Sequence, residues 1–259
     1  MKSLYRHSIA TLVRSLTWDL DPSNIRHATK LKALKEKHSG EKAVILCNGP
    51  SLNAVDFEQL ASAGVTTFGL NKINLLFERT SFRPDYIVAV NRHVLDQNLE
   101  FYSQTDITCF LDRVCDRSAF RNPNAVRINA LSYKGFSFSC SRYLCQGNTV
   151  TFVAMQLAFH LGFREIALVG CDHNFGKVSG RNKKEVKTGE DAHHFSKDYF
   201  RDVVWDTPDI IESECSYLRA RAAFEENDGR IVNSTIGGKL EIFDRMNLED
   251  FLSDSKKQV

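Results

Sequence analysis

The feature that most constrains this chain is a recurring unit. A short run of consecutive apolar residues is followed by a longer amphipathic or polar segment, repeatedly from residue 43 onward. The runs are AVILC (43–47), TTFGL (66–70), DYIVAV (85–90), ITCFL (107–111), AVRIN (125–129), EIALVGC (165–171) and RIVNST (230–235). A strand with one wet face alternates apolar with polar, whereas runs apolar at consecutive positions belong to strands covered on both faces. Between them, NAVDFEQLASAG and TVTFVAMQLAFHLGF carry helical spacing, each with a glycine suited to closing a helix. The expected fold class is α/β: a three-layer, Rossmann-like, mostly parallel sheet. In such sheets ligands gather beyond the carboxyl ends of the strands.

At 259 residues the chain can bury a sizeable core, and one large α/β domain over residues 41–252 is the simplest organisation, with a helical extension over 1–40 and a tail over 253–259. A formal net charge of +2 gives no support for nucleic-acid binding. Seven cysteines (Cys47, Cys109, Cys115, Cys140, Cys145, Cys171, Cys215) without C-x-x-C spacing read as reduced thiols of a cytoplasmic protein. No apolar run is long enough to span a bilayer. LYRHSIATLVRSLTWDL aligns Leu4, Ile9, Leu12, Val13 and Leu16 near one helix face, without the cleavage site of a secretion signal. Two readings stay open: a packing helix, or a helix in residues 1–35 that docks on a partner protein or on the inner membrane surface. KLKALKEKHSGEK after it reads as a solvated face and linker.

Residues 176–209 break the rhythm, being long, polar and glycine-bearing without core periodicity. A stretch of that length is expected to be a functional lid or a disordered insert, and its His193, His194, Tyr199, Phe200 and Trp205 favour the lid.

The strand tips carry the chemistry. The first strand breaks into Asn48, Gly49, Pro50 and Ser51, where glycine lets backbone N–H groups approach a ligand. The loop lacks both the lysine of a P-loop and the three-glycine spacing of a dinucleotide fold. FGLN ends the second strand in Asn71 and IVAVN the third in Asn91. Each asparagine alone reads as a turn former or cap, but three at one edge offer amides that pair with a nucleobase or ribose. Gly147, Asn148 and Thr149 open the apolar helix as a cap and a phosphate cradle. EIALVGCDHNF carries Asp172, His173 and Asn174 past the next strand, the Asp being a ribose, metal or catalytic candidate as well as a cap. His193 and His194 could act as a general base near neutrality, and neither lies in a zinc-binding spacing.

N-G-P-S-L after the first strand, Asn71, Asn91, TFVAMQLAFHLGF followed by REIALVGCD, and His194 in AHHF resemble glycosyltransferase family 42, the bacterial sialyltransferases that use CMP-sugars, over roughly residues 43–243. FRPDYIVAVN, GCDHNF, HHFSKDYF and IVNSTIGGKLEIF look like the MptE-like family, named for a 6-hydroxymethylpterin diphosphokinase, with bacterial members in surface-glycan assembly. The sialyltransferase resemblance implies that Asn48, Gly49, Pro50 and Ser51 meet the CMP phosphate and ribose. It further implies that Asn71 and Asn91 hold the cytidine, that Gly147, Asn148 and Thr149 cradle phosphate, and that His194 is the base. The sequence departs from that pattern where an arginine is expected before the helix, since residues 146–148 read Gln-Gly-Asn and Arg142 lies upstream. The leaving-phosphate tyrosine is Asn174 here, with Tyr199 or His173 as replacements.

The leading expectation is an inverting, metal-independent transferase, with no cofactor, moving an acidic sugar of the sialic acid or Kdo type from CMP to a glycan or lipid-linked glycan acceptor. One alternative is pyrophosphate transfer from ATP to a hydroxymethylpterin, needing Mg²⁺ and clustered carboxylates. The other is a non-catalytic nucleotide-binding scaffold subunit.

Overall fold

The computed structural model of the chain describes residues 13, 15–174, 184–187, 194–199, 203–206 and 209–254, with backbone alone at 184–187 and 203–206. All seven runs form strands. They are β1 (Lys42–Leu46), β2 (Thr66–Leu70), β3 (Tyr86–Ala89), β4 (Thr108–Asp112), β5 (Ala125–Ile128), β8 (Glu165–Val169) and β11 (Arg230–Asn233). The two-residue strands β6 (Ala130–Leu131), β7 (Leu144–Cys145) and β12 (Asp244–Arg245) were not expected, and β9 (Lys184–Lys187) and β10 (Val203–Asp206) fall in the polar stretch. The main sheet has eight strands in the order β12-β11-β8-β1-β2-β3-β4-β5. Every pairing in it is parallel.

The consecutive apolar positions serve two separate cores. Along β1, Ala43 and Ile45 join the helix Val150–Leu161 on one face, while Val44 and Leu46 join Leu52, Leu60 and Ile73 on the other. The sheet is thereby covered on both sides, giving three layers. Helix Val150–Leu161 is buried at almost every position and ends on Gly162, whose φ of +108° suits glycine.

The chain proceeds from β1 outward to β5, then returns to lay β8 on the opposite side of β1. The reversal between β1 and β8 opens a crevice at their carboxyl ends.

Of the N-terminal segment, residues 1–12 and 14 lie outside the described residues. Trp18, Asn24, His27 and Leu31 are buried, which supports the packing reading for that part. His27 Nδ1 accepts the Arg127 backbone N–H at 3.2 Å, so the helix Ser23–Leu34 occupies part of the edge that β5 would otherwise leave open. No helix among the described residues is long and apolar enough to cross a membrane.

The stretch 176–209 is reached in part. β9 and β10 pair antiparallel. Residues 194–199 bury Phe195 and Tyr199 in the core face of Leu46 and Leu52, where the sequence suggested no core residues. The rest of the stretch up to residue 208, His193 included, lies outside the described residues.

Candidate functional site at the strand switch

The loops after β1 and β8 are tied to each other. Asp172 accepts from the Ser51 backbone N–H at 3.2 Å and from Ser51 Oγ at 2.7 Å, so its carboxylate holds the single 3₁₀ turn Pro50–Ala54, in which Pro50 occupies the first turn. Gly49 donates to the Gly170 carbonyl at 2.9 Å. A Cβ on Gly49 would lie 2.0 Å from Asp172 Oδ2 and 2.6 Å from that carbonyl. Glycine is therefore required at residue 49 for closure of the β1 and β8 loops on each other, a reason different from the expected approach to a ligand.

Beside this latch is a cavity of about 150 Å³, lined by Asn48, Asn71, Thr149, Asp172, His173 and His194 among others. Asn174 and His194 both line it. Asn48 Nδ2 donates to the Leu70 carbonyl at 2.9 Å and to the Tyr199 hydroxyl at 2.8 Å. The side-chain oxygens of Asn48 and Asn71 are buried and have no hydrogen-bond partner among the described residues. Asn71 holds a left-handed backbone, with φ 48°. A buried acceptor without a donor costs about 1–3 kcal/mol, so two beside one cavity point to a ligand with N–H or O–H groups.

The opposite wall is the start of helix Val150–Leu161. Thr149 Oγ1 caps the helix by accepting from Thr151 N at 3.3 Å and lies 3.3 Å from the Tyr217 hydroxyl. Thr149, Val150 and Thr151 all line the cavity, so the positive end of the helix faces it. Cys47 and Cys171 line its floor, and the hydrogen bond between them together with burial pushes the Cys47 thiol up, keeping it neutral. All seven cysteines are free.

Two histidines complete the rim. His173, at φ 50°, brings Nε2 to 2.9 Å from Glu214 Oε1, on the helix Ile210–Glu225. His194 lies flat on the Tyr199 ring, with centroids 4.1 Å apart and planes 5° apart. Asn174 is exposed at the mouth.

Other expected residues are placed elsewhere. Asn91 caps the helix Arg92–Gln97, its Oδ1 accepting from His93 N at 2.8 Å and Val94 N at 3.3 Å, and it does not line the cavity. Gly147 and Asn148 stand behind Thr149 and shape the turn through left-handed φ values of 57° and 56°. A Cβ on Gly147 would meet Phe152 Cδ1 at 2.3 Å. Tyr199 does not line the cavity. Its hydroxyl accepts from Asn48 and lies 3.3 Å from Lys72 N, so it anchors the segment behind His194 instead of reaching a leaving phosphate.

Sequence reading missed Tyr217 and Glu214, because the helix that carries them was not recognised. Asp209, capping Glu212 N at 3.2 Å with an acid three positions on, was the available signal.

Diphosphoryl transfer from ATP calls on Mg²⁺ held by several carboxylates. Asp172 is the one carboxylate lining the cavity among the described residues, and Ser51 engages it. No group of three His, Cys, Asp or Glu among the described residues could hold a metal ion. Among the described residues that donor set does not fit a bridging Mg²⁺.

A family model described as 6-hydroxymethylpterin diphosphokinase MptE-like matches residues 22–178. Comparison with curated proteins gives no match. Among solved structures, the Maf glycosyltransferase from Magnetospirillum magneticum AMB-1 is similar in fold, with a TM-score of 0.52 at 17% identity. The similarity covers 86% of this chain and 38% of that one, so the chain spans well under half of the neighbour's length.

Proposed function

This chain belongs to the 6-hydroxymethylpterin diphosphokinase MptE-like family, and from that premise we propose that it is a glycosyltransferase using a CMP-activated acidic sugar, of the sialic acid or Kdo type, at the strand switch. The observation that carries the reading is the pair of unpartnered amide oxygens of Asn48 and Asn71 beside a cavity faced by a helix N-terminus. An amide oxygen suits the exocyclic amine of cytosine, and a helix N-terminus suits the phosphate. The glycosyltransferase fold of the structural neighbour agrees with this choice over diphosphokinase chemistry.

In the proposed reaction the acceptor hydroxyl oxygen bonds to the anomeric carbon as the bond from that carbon to the phosphate oxygen breaks. A single displacement inverts the centre. His194 takes the acceptor proton, its ring held by the Tyr199 stack. CMP leaves with the electron pair of the broken bond, and the helix end at Thr149 to Thr151 stabilises the charge. His173, held by Glu214, stands at the same rim and takes the place of the missing arginine beside the phosphate. The acceptor is a glycan or lipid-linked glycan, reached at the inner face of the cytoplasmic membrane.

A thermal-shift panel tests the nucleotide. CMP and CTP are expected to stabilise the protein, whereas stabilisation only by ATP with Mg²⁺ and a hydroxymethylpterin would replace this reading by the diphosphokinase one. His194→Ala is expected to abolish transfer while CMP still binds, and unchanged turnover would remove His194 from the mechanism.

A further inference from the structure

A second, larger cavity of about 860 Å³ lies beyond the carboxyl end of β11. One wall is Ala54, Val55, Asp56 and Gln59, continuing the 3₁₀ turn that Asp172 holds. The other is Asn233 to Gly237, continuing β11. This second wall is bonded directly to the loop of the first cavity. Thr235 Oγ1 accepts from Cys171 N at 3.0 Å, and Lys239 N donates to the Asp172 carbonyl at 2.8 Å. Asp172 and Ser51 thus stand between two adjoining spaces.

The second wall is rigid. Arg245 donates to the carbonyls of Thr235, Gly237 and Gly238 at 3.1, 2.6 and 3.1 Å, pinning the turn. On this wall Ser234 is 8% exposed, and its hydroxyl has no hydrogen-bond partner among the described residues. A buried hydroxyl left unpaired in a fixed wall marks a place where a ligand polar group completes the bonding. Ile236, Met246 and Leu248 supply apolar surface beside Gln59 and Asn247. Such a mixture suits a sugar, which presents hydroxyls at its edge and C–H groups on its faces. The lining carries three carboxylates, Asp56, Glu249 and Asp250, and one guanidinium, Arg245, so it disfavours an acidic ring.

We infer that this cavity binds the acceptor, a neutral or N-acetylated saccharide, with Ser234 hydrogen-bonding one of its hydroxyls. The acceptor role rests on the proposed transferase reading, while saccharide binding does not. The experiment is saturation-transfer NMR on the full chain with lactose, chitobiose and sialyllactose, run beside CMP thermal shifts. Lactose or chitobiose is expected to give saturation transfer, with affinity falling at least fivefold in Ser234→Val and in Gln59→Ala while the CMP shift is unchanged. Gln59→Ala keeps the test open if Ser234→Val fails to fold. Absence of transfer from both neutral probes, a preference for sialyllactose, or unaltered affinity in a folded variant would overturn the proposal. Saccharide binding without any CMP shift would uphold this site and strike instead the donor reading of the first cavity.

Discussion

The carboxyl edge of the sheet has two halves that use the same residue types differently. Over β1, β2 and β8 the amide oxygens of Asn48 and Asn71 remain unpaired beside a cavity. Over β3 to β5 comparable groups are spent on structure. Asn91 caps a helix, Asp112 accepts from Val114 N and Ala130 N, and Arg127 donates to Asn24 Oδ1. The far half also contains unpaired atoms, Arg127 Nε and Asn129 Oδ1, on residues that line neither cavity. A hydrogen-bond deficit therefore points to a ligand only where a cavity adjoins it.

The strongest way to break this contrast is to disturb the latch that shapes the first half. In Gly49→Ala the new methyl would overlap the Asp172 carboxylate and the Gly170 carbonyl, and the latter is backbone that cannot swing aside. A loss of about 3 kcal/mol in denaturant-derived stability is expected, together with loss of the CMP thermal shift. Near-normal stability would show that the two loops are not locked together.

The far half is probed next by pH. Burial, then the charges of Arg26, Arg127 and Lys30, lowers the His27 pKa to about 4 from 6.5. The ring is thus neutral in the folded protein, as its acceptor role toward Arg127 N requires. Because the folded pKa is depressed, this contribution is complete above pH 6.5 and is lost progressively as pH falls toward 4. Allowing for solvent screening, the loss amounts to about 2 kcal/mol. His27→Gln, which keeps an acceptor and does not titrate, is expected to flatten that slope in urea titrations between pH 7 and 4 while leaving the CMP shift unchanged.

The two halves look alike in sequence, which limits what could be read from it. The strands were legible because runs such as AVILC and EIALVGC are apolar at consecutive positions, as two-faced burial demands. The two-residue strands β6, β7 and β12 were not, since pairing alone defines them. Asn48, Asn71, Thr149, His173 and His194 were legible as strand-end or loop polar groups and do meet at one cavity. Asn91 read identically, yet the helix beginning at Arg92 claims its oxygen, whereas Asn71 is followed by a short 3₁₀ turn at Ile73. The pairing of His173 with Glu214 spans 41 residues, a separation that no local pattern encodes.

Asn71→Gly sharpens the contrast from the ligand side. Glycine accepts the φ of 48° without strain and removes the unpaired oxygen, so stability of the free protein is expected to hold or to rise by about 1 kcal/mol. CMP affinity is expected to fall about tenfold, or about 1.4 kcal/mol, by calorimetry. A stability loss with unchanged affinity would mean that Asn71 serves structure, as Asn91 does.

Asn91→Ala is the matched test on the other half, with the smallest expected effect. Its oxygen satisfies the N–H groups of His93 and Val94, which are otherwise unpaired at the start of the helix. Alanine removes that acceptor and exposes both donors to water, an effect of about 1 kcal/mol for a capping residue. Asn91 does not line the cavity, so the CMP dissociation constant measured by calorimetry is expected to match the parent protein. If affinity falls while stability holds, Asn91 reaches the ligand in the bound state, and the division of the carboxyl edge would have to be redrawn to include the end of β3.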